Sequence, residues 1–212
     1  MHCNCCEITN NIFTEDSAKA DIKDYHKHGP AKQTKLILEA VRSLELKDIH
    51  LLDIGGGVGV LHHELLKDTA RQATHVDASS AYLKVAKDES EKRGNSERVN
   101  FIQADFTDVA EDIPAADVVT LDRVVCCYPD FRSLLKDASE HSRKAIAMTY
   151  PREKWYLRIG LGVINFFQKL RRDPFRVFLH PVDEMDELLT AQGFKRTSMK
   201  RLFVWEMALY TK

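Results

Sequence analysis

The sequence has no excess of charge of either sign. Its 212 residues carry 31 Lys and Arg against 32 Asp and Glu, a formal net charge of −1. That argues against a nucleic-acid partner, because such proteins usually show a strongly basic balance. Long apolar runs are also missing. The opening MHCNCCEITNNIFTEDSAKADIKD lacks the apolar core of a secretion signal. The longest apolar stretch, WYLRIGLGVINFF, is broken by Arg158 and Asn165 and is too short to span a bilayer. Cysteines number five, and an odd count argues against a disulfide framework. Together these absences lead us to expect a cytoplasmic protein. Neither an internal repeat nor a low-complexity segment is seen. What is present is ordinary for one globular domain: 44% hydrophobic and 30% charged residues.

Apolar periodicity then divides the chain. A short helix is expected around Glu15–His28, ended by Gly29-Pro30. Pro30 suits the first turn of a second helix carrying Leu36, Ile37, Ala40, Val41 and Leu44 on helical spacing. From residue 49 the pattern alternates. IHLLDI, ATHVDA, VNFIQAD, ADVVTLD and KAIAMTY read as strands. VGVLHHELLKD, SSAYLKVAKDESEKRG and FRSLLKDASEHS read as helices between them. Ser79 or Ser80 is the expected cap of the second of these and Gly94 its stop. Near the C-terminus, DEMDELLTAQGF is a helix ending at Gly193, and KRTSMKRL and FVWEMALYT are strands joined too closely to be parallel. Repeated β-α units call for a mainly parallel sheet with helices on both faces. Residues 151–181 fit no repeat unit, and their aromatics argue against disorder.

The most informative stretch is IHLLDIGGGVGV, residues 49–60. A dinucleotide fingerprint G-x-G-x-x-G/A starting at Gly55 needs a small residue at 60, which is Val60. Starting at Gly57 puts His62 there instead. The spacing is D-x-G-x-G-x-G. A pyrophosphate at this loop would face Asp53, and two like charges about 4 Å apart cost roughly 4 kcal/mol at an effective dielectric near 20. A cationic ligand without phosphate gains from the same carboxylate. Asp77 and Asp105 close the next two strands. An acid at the position of Asp77 serves a ribose in either ligand class, so it does not discriminate.

These motifs resemble the class I S-adenosylmethionine-dependent methyltransferases, over roughly residues 46–212. The resemblance implies a doubly wound, Rossmann-like, seven-stranded α/β sheet, mainly parallel with an antiparallel C-terminal strand pair. It implies S-adenosylmethionine as cofactor and a set of roles. Gly55, Gly57 and Gly59 let the backbone approach the methionine part, and Asp53 contacts its amino end. Asp77 holds the ribose, Asp105 and Phe106 hold the adenine, and Asp122 sits near the donor methyl. VVTLDRVVCCYPD and FLHP are similar to a group of stand-alone small-molecule methyltransferases and, in outline, to magnesium-protoporphyrin O-methyltransferases. Residues 1–45 are expected to form a helical cap over the donor, with Tyr25 touching it. Residues 151–181 are expected to form the acceptor lid.

The acceptor is expected to be a small, apolar or amphipathic molecule. Methyl transfer from a sulfonium needs positioning and exclusion of water; a hydroxyl or amine acceptor also needs a base. Candidates at the mouth are His180, Tyr128 and Tyr150, each of which also reads as a packing residue. The chain lacks the N-P-P-Y tetrad associated with amino-methylation of bases or amides. Arg158, Lys169, Arg171, Arg172 and Arg176 beside the lid aromatics suit an acidic acceptor or a peripheral membrane contact through 155–178; equally, the helix could bury its apolar face and solvate its basic one. Cys3, Cys5 and Cys6 lack the spacing of a zinc site, no metal is assigned, and the role of these residues and of Cys126 and Cys127 is open. Two other readings stay open at this point: a non-catalytic adenosyl-binding or thiol-responsive protein, and an NAD-dependent oxidoreductase.

Overall fold

A computed structural model describes residues 12–170 and 176–212. Seven strands form one sheet: β1 Ile49–Ile54, β2 Ala70–Asp77, β3 Val99–Gln103, β4 Ala116–Asp122, β5 Ser142–Pro151, β6 Lys195–Arg201 and β7 Trp205–Thr211. Their order is β3-β2-β1-β4-β5-β7-β6. All pairings up to β5 are parallel, and β7 runs antiparallel between β5 and β6. The expected fold class is therefore the observed one.

The near-continuous apolar strands are explained by burial on both faces. Successive residues of β1 point to opposite sides, so Leu51 enters one core and Leu52 and Ile54 the other. Val118 and Val119 of β4, and Ala145 and Ile146 of β5, divide in the same way. One face is covered by α2 (Lys32–Arg42) and α3 (Val60–Leu65), through Ile37, Val41, Leu61 and Leu65. The other is covered by α5 (Phe106–Val109), α6 (Phe131–Glu140) and α8 (Val182–Ala191), through Phe106, Leu134 and Leu189. α1 (Glu15–His28) lies against α4 (Ser80–Lys92), and α7 (Trp155–Leu170) occupies the insertion.

Some expectations need correction. α2 starts at Lys32 with Ala31 as its cap, so Pro30 stands ahead of the helix rather than in its first turn. α2 belongs to the body of the domain, since Ile37 and Val41 are fully buried under the sheet. Only α1, capped by Thr14 and ended at Gly29, lies over the mouth as a cap would. α3 is shorter than the apolar pattern suggests, because Gly59 holds a left-handed conformation at its start (φ 85°) and cannot continue a helix backwards.

Strand order reverses between β1 and β4, and in an open parallel sheet a ligand crevice lies at the carboxyl ends there. The glycine loop leaves β1 at that point.

Candidate active site

A cleft of ≈ 720 Å³ opens above the carboxyl ends of the strands. Its inner half is lined by Gly55, Gly57, Asp77, Asp105, Phe106 and Asp122. Each acid is held by donors from its own neighbourhood. One Asp77 oxygen accepts the Gly57 N–H and the other the Ser79 N–H, both at 2.8 Å. The loop is thus tied to the end of β2 before any ligand arrives. Burial pushes the Asp77 pKa up to about 6 against those two bonds. Asp105 caps α5, accepting the Thr107 N–H at 3.2 Å and its hydroxyl at 3.1 Å. Asp122 accepts the hydroxyls of Thr34 and Thr149, each at 2.5 Å. Arg123 follows with φ 62°, a costly conformation for a non-glycine residue, fixed by its N–H donating to Thr149 Oγ1 at 2.9 Å. Gly57 has φ 58° and an open face toward the cleft, so glycine is required there by conformation and leaves backbone for a ligand to approach. α1 closes this half: Phe13 and Asp21 line it, and Tyr82 of α4 donates to Asp21 at 2.8 Å.

The outer half is different in kind. It is lined by Cys126, Cys127, Tyr128, Leu157, Leu161 and Phe178. The return from α7 is fastened to the loop after β4, with the Phe178 N–H donating to the Cys126 carbonyl at 2.7 Å. Asn165 clasps Val177, donating to its carbonyl at 2.9 Å and accepting its N–H at 3.2 Å. The two cysteine sulfurs lie 3.9 Å apart. Tyr128 has a buried hydroxyl with no partner.

Several predicted residues are elsewhere. Asp53 is fully buried beneath the loop and does not line the cleft. Thr120 donates to its Oδ1 at 2.8 Å, and Oδ2 faces His62 and His75. The charge we placed at the lip is therefore behind it, and burial pushes this carboxyl up to about 6. Gly59 also stays out of the lining; its left-handed backbone and the His62 ring, which a Cβ there would meet, both call for glycine. Tyr25 donates to Glu64 at 2.5 Å under Arg93 and does not face the cleft. Tyr150 is buried in the core and donates to Glu206 at 3.1 Å. His180 lies between Phe131 and Phe178, with Nε2 2.9 Å from the Tyr128 carbonyl and 3.1 Å from that of Val125. Both partners are acceptors, so Nε2 bears the proton and the ring pins this loop as a packing residue. Of the three base candidates, only Tyr128 lines the cleft.

The insertion also departs from the bland alternative of a buried apolar face. Leu157 and Leu161 face the cleft, but Trp155 (74% exposed), Phe166 (62%) and Leu170 (71%) face solvent. Arg158 pairs with Glu153, and Arg176 lines the cleft. The expectations for Cys3, Cys5, Cys6, Arg171, Arg172, Phe175 and the Lys169 side chain fall outside the described residues. Among the described residues no helix is long and apolar enough to cross a membrane.

The residues missed in the sequence are those that hold others: Thr34 and Thr149 around Asp122, and His62, His63 and His75 under the glycine loop. Thr149 lies inside β5, 27 residues after Asp122, and Thr34 lies 88 residues before it, so no local pattern marks them.

A family model described as a methyltransferase domain matches residues 51–145, from β1 into β5. No curated protein matches the chain. Among solved structures, magnesium protoporphyrin IX methyltransferase from Synechocystis PCC 6803, with bound SAH, is similar at TM-score 0.75 and 16% identity, covering 99% of this chain and 100% of that one. An O-methyltransferase family 2 protein from Planctomyces limnophilus, in complex with apigenin, is similar at TM-score 0.67 and 17% identity, covering 93% of this chain and 61% of that one. The [4+2]-cyclase SpnF shares the fold at TM-score 0.65 and 16% identity, covering 84% and 80%. Identities this low speak for the fold, and the cyclase illustrates that a fold alone does not fix a reaction. The matched domain speaks against the oxidoreductase reading. Strand order, switch-point cleft and the matched stretch give this chain the fold of the class I S-adenosylmethionine-dependent methyltransferases, with a methyltransferase domain matched over residues 51–145.

Proposed function

We propose that the enzyme methylates a small apolar or amphipathic acceptor that reaches the cleft from a membrane surface. The observation that carries this reading is the two-sided helix α7: Leu157 and Leu161 line the outer cleft while Trp155, Ile159, Phe166 and Leu170 point outward, uncovered. Large contiguous apolar exposure marks an interaction surface. The helix has the makeup of an interfacial one, since residues 155–170 hold two cations, Arg158 and Lys169, and no acid.

In this reading the donor occupies the inner half. Gly55 and Gly57 offer backbone to its methionine part, Asp77 accepts from the ribose, and Asp105 and Phe106 meet the adenine. Asp122, anchored by two threonines, stands near the sulfonium, where a carboxylate favours positive charge. The acceptor lies against Leu157, Leu161 and Phe178, in line with the methyl. A carboxylate acceptor reacts without a base; for a hydroxyl acceptor Tyr128, the one of the three base candidates that lines the cleft, would take the proton as its phenolate.

The test is transfer of label from S-adenosylmethionine into an organic-soluble extract of the source cells, with and without anionic vesicles. Label in an organic-soluble product, formed faster with vesicles, is the expected result. Label confined to water-soluble products would refute the reading.

A further inference from the structure

Beneath the glycine loop lie four buried residues that the transfer reaction does not use: Asp53, His62, His63 and His75, each 0% exposed. They leave Asp53 Oδ2, His62 Nε2, His75 Nε2 and both nitrogens of His63 without hydrogen-bond partners. Buried polar atoms are nearly always paired, so a cluster of orphans asks for a physical cause.

For Asp53 Oδ2 geometry supplies one, while the Nε2 atoms of His62 and His75 and the His63 ring keep no partner. His62 Nδ1 lies 3.2 Å from His75 Nδ1 and 3.6 Å from Asp53 Oδ2. Ligand atoms from the three side chains all fall within 4.8 Å of one another. Zinc–nitrogen and zinc–oxygen bonds of about 2.0–2.2 Å, arranged tetrahedrally, put neighbouring ligand atoms roughly 3.3–3.5 Å apart. A hydrogen bond between the two Nδ1 atoms satisfies that pair and still leaves Asp53 Oδ2 without a donor. A cation between the three groups takes a lone pair from each.

Gly56 gives an independent sign. Its φ is not in the left-handed range, so conformation does not demand glycine there. Space does: a Cβ would stand 2.6 Å from His75 Nδ1 and 2.7 Å from Asp53 Oδ2. The loop crosses the cluster at the residue that leaves these two atoms clear. Thr120 donates to the other Asp53 oxygen at 2.8 Å and orients the carboxylate, as outer partners of metal ligands commonly do.

We propose that Asp53, His62 and His75 bind a divalent transition-metal ion, of which zinc best suits one carboxylate and two imidazoles, with a water in the fourth position. The ion ties the end of β1, the start of α3 and β2 together behind the donor loop. His63 lies at the Nε2 edge of the His62 ring, beside the place a Gly59 Cβ would take, and is not a ligand. Because the site is closed, the metal enters as the chain folds and is released when it opens.

The test is metal analysis of untagged protein, as purified and after refolding with zinc or cobalt(II), each followed by exhaustive dialysis. We expect stoichiometric zinc, and for the cobalt form the visible absorption of a tetrahedral ion. His62→Gln, His75→Gln and Gly56→Ala should each lose the metal, while His63→Gln retains it; circular dichroism establishes that each variant is folded. Wild-type protein that holds neither ion after refolding overturns the proposal. So does full retention of metal in folded His62→Gln and His75→Gln. Metal content is read without donor, acceptor or vesicle, so this result stands apart from the proposed reaction.

Discussion

The two halves of the cleft are built on different principles. In the inner half the polar side chains are already occupied: Asp77 by two backbone N–H groups, Asp105 by Thr107, and Asp122 by two threonines. These bonds fix the carboxylates at the ends of β2 and β4 and at the cap of α5, rigid positions where precise recognition is best mounted. In the outer half the walls are mostly apolar, supplied by α7, its return and the loop after β4 that carries Cys126, Cys127 and Tyr128. The difference teaches what each half selects: the inner discriminates by fixed polar geometry, the outer by shape and apolarity.

The largest effect is expected where a fixed acid is removed. Asp77→Ala takes away the acceptor of the Gly57 N–H and the proposed ribose contact. At about 1.5–3 kcal/mol for each hydrogen bond to a charged group, S-adenosylhomocysteine affinity should fall roughly 100-fold or more in calorimetry. Unchanged affinity would locate the donor elsewhere and dissolve the contrast between the halves. The outer half should respond to a different measurement. Phe166→Ser with Phe167→Ser should weaken partition into anionic vesicles by about 2 kcal/mol or more, roughly 30-fold, while donor affinity stays put. If donor affinity falls in parallel, the halves are not separable. Tyr128→Phe should lower kcat/KM about tenfold with a hydroxyl acceptor. It should not lower thermal stability, because the hydroxyl it deletes is buried and unpartnered. A lower Tm would show a structural hydroxyl and count against its part in proton transfer.

The smallest effect concerns His180. Burial lowers its pKa, so the unfolded chain binds the proton more readily. Stability therefore falls as pH drops below the unfolded imidazole value of about 6.5. His180→Phe should cost about 1 kcal/mol at neutral pH through the lost hydrogen bonds and slightly flatten this acid limb in denaturant titrations. An acid limb that steepens instead would mean the residue gains, rather than loses, a proton on folding.

Much of the inner half is legible in the sequence because it follows from strand periodicity. Apolar runs end in acids, and a parallel sheet gathers those ends at one edge; hence Asp77, Asp105 and Asp122 are found together. The failures have physical causes. Asp53 also ends a strand, but its carboxylate is directed under the turn by contacts with Thr120 on β4 and the histidines of α3 and β2, none of which a local pattern contains. Tyr25 and Tyr150 are aromatic and near the expected mouth, yet each hydroxyl finds a carboxylate elsewhere, Glu64 and Glu206, as buried tyrosines tend to do. For α7, hydrophobicity alone reads as burial. Only the packing shows that Phe166 and Leu170 face outward.

The clasp between Asn165 and Val177, with the bond from Phe178 to Cys126, has a consequence for traffic. A flap lifts because one of its edges is free. Here the return from α7, roof of the proposed acceptor side, is sewn to the loop after β4. With that edge closed, the proposed acceptor would slide in along the flank of α7, as a letter passes through a slot, and its cross-section, more than its length, would decide whether it is admitted.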